Sequence, residues 1–281
     1  ESTMQKEACL LALGKAHLVP ESIRYLFGGD LLRQGVATSM GVETLQIPMF
    51  GLYGACSTSG EALALASMSV AAGYGERMLA VTSSHFGSAE KEFRFPLGYA
   101  NQRPLSAHWT VTGSGAFIVG KNRSHVRITG VTVGKIVDYG LKDSQNMGAC
   151  MAPAACDTII QNLEDFERKE TDYDRIITGD LGYVGQSILF DLMRGKEHDI
   201  KINHMDCGMT IFDQNLQDTH AGGSGCGCAA ATLSAYILPK ISRGEWKRVL
   251  FVPTGALMST VSYNEGASVP GIAHGIVLEH C

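Results

Sequence analysis

The feature that most restricts the fold of this chain is an internal repeat. Residues 54–84 align without a gap on residues 225–255, and residues 23–31 (IRYLFGGDL) resemble residues 174–181 (DRIITGDL). Each copy reads as a helix, a strand, a Gly-Asp-Leu turn, a second helix, a strand, a Gly-rich turn, a buried helix and a strand. A repeat of this length indicates two supersecondary units of one kind. Strands that alternate with helices predict largely parallel sheets with helices packed on them.

The repeat also predicts the organisation of the chain. We expect two α/β halves, residues 1–122 and 123–281. The second half opens with a long β-like stretch at residues 126–137, whereas the first opens directly with a helix. We therefore expect that an N-terminal segment with a strand is missing from the first half.

The centre of the first half is the stretch that carries Cys56. Residues 47–53 (IPMFGLY) predict a buried strand, and small apolar residues at 62–72 predict a helix packed on most sides. Between them, Cys56 falls where the helix begins, and free backbone N–H groups and the helix dipole favour a thiolate there. The pattern predicts a nucleophile or an anion site; the alternative is a buried cysteine that only packs.

Three other segments have less regular patterns. After Val81 a loop of high polar density is expected, residues 109–120 (WTVTGSGAFIVG) predict a strand hairpin, and residues 143–155 read as an inserted loop. Asp30 and Asp180 occupy repeated positions, which favours a fold role such as capping the helix after each strand.

Composition excludes several classes of protein. The chain has 281 residues, 45% of them hydrophobic, and a net charge of −5 without basic runs, which argues against nucleic-acid binding. No apolar run is long enough for a membrane helix, and no signal peptide is evident. Eight cysteines in a chain of this length do not indicate a disulfide framework or, at their spacings, a metal site. A reducing, intracellular compartment is expected.

A run of motifs, in order along nearly the whole chain, resembles one family, the stage V sporulation protein AD family of the thiolase-like superfamily. The motifs are GACSTSGEALALASM, AVTSSH, FRFP, QRP, WTVTGSGA, ITGDLG and PGIAHGI. The resemblance implies an α/β thiolase-like fold, with duplicated βαβαβ-type halves in a five-layered α-β-α-β-α core.

The resemblance also implies a function. Members are associated with uptake of dipicolinic acid, often as its calcium chelate, into the developing spore. They act as a binding component beside membrane subunits of the spore dipicolinate channel complex. A homodimer is expected, on the cytoplasmic side of the developing spore and peripheral to its inner membrane, with no cofactor.

Catalytic groups of the superfamily are depleted in this sequence. Cys56 matches the nucleophile position, but the strand that precedes the catalytic His of condensing relatives ends here in Gly179-Asp180-Leu181-Gly182, without an imidazole. No Asn stands at the Gly-rich turn 222–225. An acyl-transfer enzyme without the His lacks its base and an oxyanion donor. We therefore expect a non-catalytic binding protein; the alternative is an acyl-transfer enzyme acylated on Cys56 by a CoA thioester, with His220 or His85 as base.

Dipicolinate is a flat dianion, and its recognition requires N–H groups, a guanidinium and hydroxyls. Backbone N–H groups at residues 56–58 are expected to hold one carboxylate. The arginines have an alternative role as loop ion pairs with Glu90 or Glu92, and the histidines as hydrogen-bonded structural residues. The expected ligand-binding residues are Cys56, Ser57, Thr58, His85, Arg94, Gln102, Arg103, Thr110, Asp180 and His220.

Overall fold

The structure, a computed structural model, describes residues 1–32, 34–93 and 104–281, with the backbone alone at 91–93. The helices are α1 (Ser2–Lys15), α2 (Val36–Val42), α3 (Thr58–Ala71), α4 (Phe86–Phe93), α5 (Met147–Asp165), α6 (Gly182–Arg194), α7 (Cys207–Thr210), α8 (Cys226–Thr232), α9 (Leu238–Ser242) and α10 (Thr260–Asn264). The strands are β1 (Tyr25–Asp30), β2 (Met49–Gly51), β3 (Arg77–Ser84), β4 (Trp109–Thr110), β5 (Gly113–Gly120), β6 (Val126–Thr132), β7 (Arg175–Thr178), β8 (His204–Asp206), β9 (Gly223–Ser224), β10 (Arg248–Val252), β11 (Thr254–Ala256), β12 (Gly271–Ala273) and β13 (Gly275–His280).

Two mixed sheets form the framework. The first has the strand order β2-β1-β3-β5 and the second β6-β13-β10-β7-β8. In both, the three strands β2, β1, β3 and β8, β7, β10 are parallel, and the next strand is antiparallel. The strand β6 has no counterpart in the first sheet among the described residues, and the expected missing segment stays a prediction.

The helices and sheets stack in five layers, as the family resemblance implies. One apolar core joins α1 to the outer face of the first sheet, and another joins α5 and α6 to the outer face of the second. The third core lies between the sheets and contains side chains of α3 and α8. Because α3 packs on both sheets, it has little room: a Cβ at Gly60 would lie 3.2 Å from the His274 carbonyl oxygen. Its small residues fit that space.

Strand register places the two copies of the repeat in equivalent positions. Tyr25 lies opposite Met78 in the first sheet, and Arg175 lies opposite Val249 in the second. Because Met78 and Val249 are aligned in the repeat, their partners Tyr25 and Arg175 occupy equivalent positions in β1 and β7. Asp30 and Asp180, which end this stretch in each half, are structurally equivalent.

Some local predictions are wrong because long-range pairing decides these segments. Residues 109–120 do not form a hairpin: β4 pairs with the distant β9, and β5 pairs with β3. Residues 143–155 are not an inserted loop, because α5 begins at Met147 and continues through Pro153. The polar segment after Val81 contains α4 rather than only a loop.

The strand before Cys56 is shorter and more exposed than the buried strand predicted at residues 47–53. Only Met49–Gly51 forms a strand, and it lies at the edge of the first sheet with Phe50 53% exposed. Phe50 stacks on Phe27, with 5.2 Å between the ring centroids. The apolar run thus marks an edge strand whose outer side is open to a partner.

Candidate functional site

Cys56 is held by a tight turn between β2 and α3. Ala55 has a left-handed backbone (φ 52°), so the chain reverses before the helix. The Ser57 and Thr58 N–H groups donate to the Gly54 and Ala55 carbonyls at 3.1 and 3.3 Å, and the two hydroxyls donate to the same carbonyls at 2.7 Å. The predicted carboxylate cradle is therefore wrong at residues 57 and 58, because the turn consumes their donors.

The thiol of Cys56 is covered by residues from both halves. Cys56 is only 5% exposed and packs in a small cluster with Leu31, Ala89 and Cys226. Ala89 belongs to α4, so this short helix forms the outer cover of the site. The α8 residue Cys226 comes from the Gly-rich turn of the second half.

This environment favours the neutral thiol. Burial raises the pKa of Cys56 well above its ordinary value, and the nearby Asp180 carboxyl raises it further. The backbone N–H of Gly225 and the Ser224 hydroxyl lower this pKa but do not outweigh burial. The prediction of a favoured thiolate is wrong, since the helix N-terminus is weaker here than desolvation.

Asp180 is the acidic neighbour of this thiol. Its Oδ1 accepts a hydrogen bond from the Gly225 N–H at 2.8 Å, while its fully buried Oδ2 has no hydrogen-bond partner among the described residues. Burial and the nearby Asp206 raise the pKa of Asp180 well above the ordinary range. Burial therefore favours the protonated carboxyl, the form that can act as a donor, although the backbone N–H groups of Gly225 and Thr254 act in the opposite direction.

The two repeated aspartates have different roles. Asp30 accepts from the N–H and hydroxyl of Thr38 at 2.9 and 2.7 Å and so caps α2, as predicted. In the second half this task falls to Asp206, which accepts from the Leu181 and Gly182 N–H groups at the start of α6. The capping prediction is wrong for Asp180, which points instead to the Cys56 turn.

A small cavity of about 20 Å³ lies beside this site. Its wall includes Thr110 and Ser224, which are paired between β4 and β9. The Thr110 N–H donates to Oε1 of Glu90 at 3.1 Å, and this bond ties α4 to β4. A space of this size holds about one water molecule. The cavity is lined by Glu90, Ala107, His108, Thr110, Ser144, Gln145, Met147 and Ser224.

Comparison with known proteins identifies the family. The family model of stage V sporulation protein AD matches residues 1–279. The chain belongs to the stage V sporulation protein AD family. It is 42% identical over 279 residues to the stage V sporulation protein AD of Bacillus subtilis (strain 168), covering 99% of this chain and 82% of that protein.

Solved structures show the fold of this family member to be thiolase-like. Superposition on 3-oxoacyl-[acyl-carrier-protein] synthase III from Aquifex aeolicus gives a TM-score of 0.65 at 15% identity, over 99% of this chain and 84% of that one. OleA of Xanthomonas campestris, in a variant bound with cerulenin, gives 0.68 at 13% identity, over 99% and 79%. Identity this low shows the fold alone.

The two histidines predicted for the site of this sporulation protein hold loops. Nδ1 of His85 accepts the Gly87 N–H at 3.1 Å, at the start of α4. The ring of His220 lies between the Pro104 carbonyl and the Asp218 carboxylate, each at 3.0 Å. Neither ring is among the groups that act on the Cys56 thiol. The remaining predicted residues Arg94, Gln102 and Arg103 lie outside the described residues.

Sequence reasoning missed three polar residues of the site. Ser224 stands in the Gly-rich turn 222–225, where the sequence offers no Asn as a polar partner. Its hydroxyl hydrogen-bonds the Cys56 thiol. His108 and Glu90 line the cavity, and burial lowers the pKa of His108 to about 4. The Nε2 of His108 lies 3.0 Å from the Leu181 carbonyl, next to Asp180. The position of Ser224 between two glycines was the one available signal.

The described residues offer neither a metal-binding cluster nor a helix that could span a membrane. No three His, Cys, Asp or Glu side chains in this part of the chain are grouped so that they could hold a metal ion. The helices among these residues are each too short or too polar to cross a bilayer.

Proposed function

We propose that this protein binds dipicolinic acid, or its calcium chelate, at the Cys56 site and supports its uptake into the developing spore without acyl-transfer chemistry. Membership of the stage V sporulation protein AD family supports a role in sporulation. The observation that carries the proposal is Asp180: a buried carboxyl with one unpartnered oxygen stands beside Cys56.

The state of the thiol supports binding over catalysis. A nucleophilic cysteine acts as its thiolate, and an adjacent base or cation normally lowers its pKa. Here burial and a carboxyl raise the pKa of Cys56, and the neighbours that lower it are a hydroxyl and a backbone N–H. Neither of these can take the proton from the thiol.

The same groups suit a planar carboxylate ligand. A carboxyl that keeps its proton can donate through Oδ2 to a ligand carboxylate, as an amide or imidazole donor would. The Ser224 hydroxyl is a second polar group that acts on the Cys56 thiol. One acid proton shared with an anionic ligand gives a short, strong hydrogen bond.

Dipicolinate is too large for this cavity in the conformation that the structure shows. A pyridine ring with two carboxylates needs far more than about 20 Å³. The cover that has to move is α4, whose Ala89 packs on Cys56 and whose Glu90 is bonded to Thr110. We propose that α4 shifts outward when the ligand enters.

Calorimetric titration with dipicolinate tests this site. Asp180→Leu removes the donor, and we expect its affinity to fall about tenfold or more, while Asp180→Asn keeps a neutral donor and stays within about threefold of wild type. Cys56→Ala should also weaken binding. In parallel, mass spectrometry after incubation with acetyl-CoA should show no adduct on Cys56. Equal affinity of the leucine and asparagine variants would show that Asp180 does not donate to the ligand. Rapid acylation of Cys56 would instead support the acyl-transfer alternative.

We propose further that the protein works as a homodimer, peripheral to the spore inner membrane and beside the membrane subunits of the dipicolinate channel complex. The exposed edge strand β2 supports a second copy as the dimer partner, since no strand of the described residues pairs with its outer side and a second copy could extend the sheet there.

A charge placed on this edge tests the dimer. Phe50→Glu should convert a dimer to a monomer in sedimentation velocity, because it places two like charges across the paired strands. The control is Tyr74→Glu. Tyr74 is also an exposed aromatic residue, but it follows α3 and lies outside β2. A wild-type monomer, or a Phe50→Glu dimer of unchanged stability, contradicts the proposal.

A further inference from the structure

A second, larger space lies at the opposite end of the first sheet. Cys56 follows the carboxyl end of β2, whereas this groove of about 450 Å³ lies where β1, β2 and β3 begin. Arg24, just before β1, and Arg77, at the start of β3, both line it, and the Arg24 N–H donates to the Arg77 carbonyl at 2.9 Å. Residues in register on parallel strands point to the same side of a sheet. The wall of the groove therefore carries two arginines, and the guanidinium of Arg24 also lies over the Tyr25 ring, with 4.7 Å between Cζ and the ring centroid.

In the second half of the chain, the arginine equivalent to Arg77 is neutralised by a carboxylate. Arg248 occupies the position of Arg77, and its Nε donates to the carboxylate of Glu279 at 2.5 Å. Glu279 lies directly opposite Arg248 in the sheet, but Gly120 lies opposite Arg77. The first half lacks this carboxylate. Neither Arg77 nor Arg24 forms an ion pair with any residue that the structure describes.

Two further positions leave the groove of the first half open, and one of them adds an arginine. Asp174, whose carboxylate accepts the Arg248 N–H at 2.9 Å, is replaced by Arg24. Asn203, whose side chain donates to the Glu170 and Tyr173 carbonyls at 2.9 and 3.0 Å, is replaced by Pro48. Proline has no such donor and cannot close this space.

The walls of the groove suit a small organic ligand. Pro20, Ile47 and Pro48 supply apolar surface next to the two guanidiniums. Its volume lies in the range of small-molecule sites. Glu21 and Glu76 also line it, and their charge disfavours a ligand with several negative groups.

We propose that this groove is a second binding site, for a small organic anion that carries one carboxylate or phosphate group on an apolar body. The two guanidiniums bind the anionic group, for which Arg is the best-suited side chain. The apolar body lies against the prolines and Ile47. The site is independent of Cys56 and of the dipicolinate proposal.

Titration of the full chain with benzoate and with phenyl phosphate tests the site and separates the two sources of the anionic group. We expect saturable binding of at least one probe. Arg77→Met should weaken it about tenfold, because the methionine keeps the apolar stem and removes the charge. Gly120→Glu should have a similar effect, because it restores the carboxylate that Glu279 provides in the second half. The matched control is Arg194→Met, which removes a 72% exposed arginine elsewhere.

Amide spectra of the labelled protein locate the bound probe. Shifts should cluster at Arg24, Gln46 and Glu76 and leave residues 54–60 unchanged. Failure of both probes to saturate, equal affinity of Arg77→Met and wild type, or shifts confined to the Cys56 turn would overturn the proposal. None of these outcomes bears on the dipicolinate titration of the Asp180 variants.

Discussion

Gly255→Ala is expected to distort the Cys56 turn and weaken ligand binding there. A Cβ at position 255 would overlap the Gly54 carbonyl oxygen and lie 3.0 Å from the Ser57 nitrogen and 3.3 Å from that of Cys56. The overlapping atoms are backbone, so a side-chain rotation cannot relieve them. We expect the free energy of unfolding to fall by about 1–3 kcal/mol, and dipicolinate affinity to fall about tenfold or more. Urea titration and calorimetry measure the two effects.

The matched control is Gly14→Ala, on the exposed face of α1. No atom lies within 4 Å of a Cβ at this position. Alanine should stabilise the helix by about 0.5–1 kcal/mol and leave binding unchanged. If Gly255→Ala unfolds and binds like wild type, the close packing of β11 on the Cys56 turn is not what positions the site.

Asp206→Asn is expected to be the more damaging of two isosteric substitutions at neighbouring carboxyls. The two oxygens of Asp206 accept from the Thr178 hydroxyl and from the N–H groups of Leu181, Gly182 and Met209. An amide supplies one oxygen and turns its NH₂ toward buried donors. The loss should be about 3–4 kcal/mol of unfolding free energy, measured by urea titration.

Asp180→Asn should cost little, and its effect should depend on pH. Its amide oxygen can keep the one bond from Gly225, and its NH₂ replaces an oxygen without a partner. Because the pKa of Asp180 is raised in the fold, the wild-type carboxyl binds its proton more tightly when folded. Its contribution to stability is full below the unfolded pKa and is lost as pH rises from that value toward the folded pKa.

The variant lacks this loss, so its stability relative to wild type should increase with pH. Thermal unfolding of both proteins from acid to neutral pH gives the comparison. A difference that does not change with pH, or a large loss in Asp180→Asn, would show that Asp180 is a structural hydrogen-bond acceptor, like Asp206.

Local patterns in the sequence were sufficient for the repeat, the central helix and the location of Cys56. Apolar runs with flanking glycines predicted the elements β3, β7 and β10, and these elements form the buried strands of both sheets. The same patterns failed at β4 and α5. β4 pairs with a strand of the other half, and the Gly, Met and Pro residues that begin α5 resemble a loop until they are packed on α6.

Helix and strand periodicities are local and recur in both halves, so they predict the duplicated α/β fold, whereas the five layers are what the family resemblance implies. The chemistry of the site depends on contacts that exist only in the folded chain. Asp30 and Asp180 look alike in the sequence, yet one caps a helix and the other lies buried beside Cys56. The pKa of Asp180 depends on burial and on groups that folding brings close to it, such as Asp206 and Gly225. Desolvation is a property of the packed interior, and a linear sequence does not contain it.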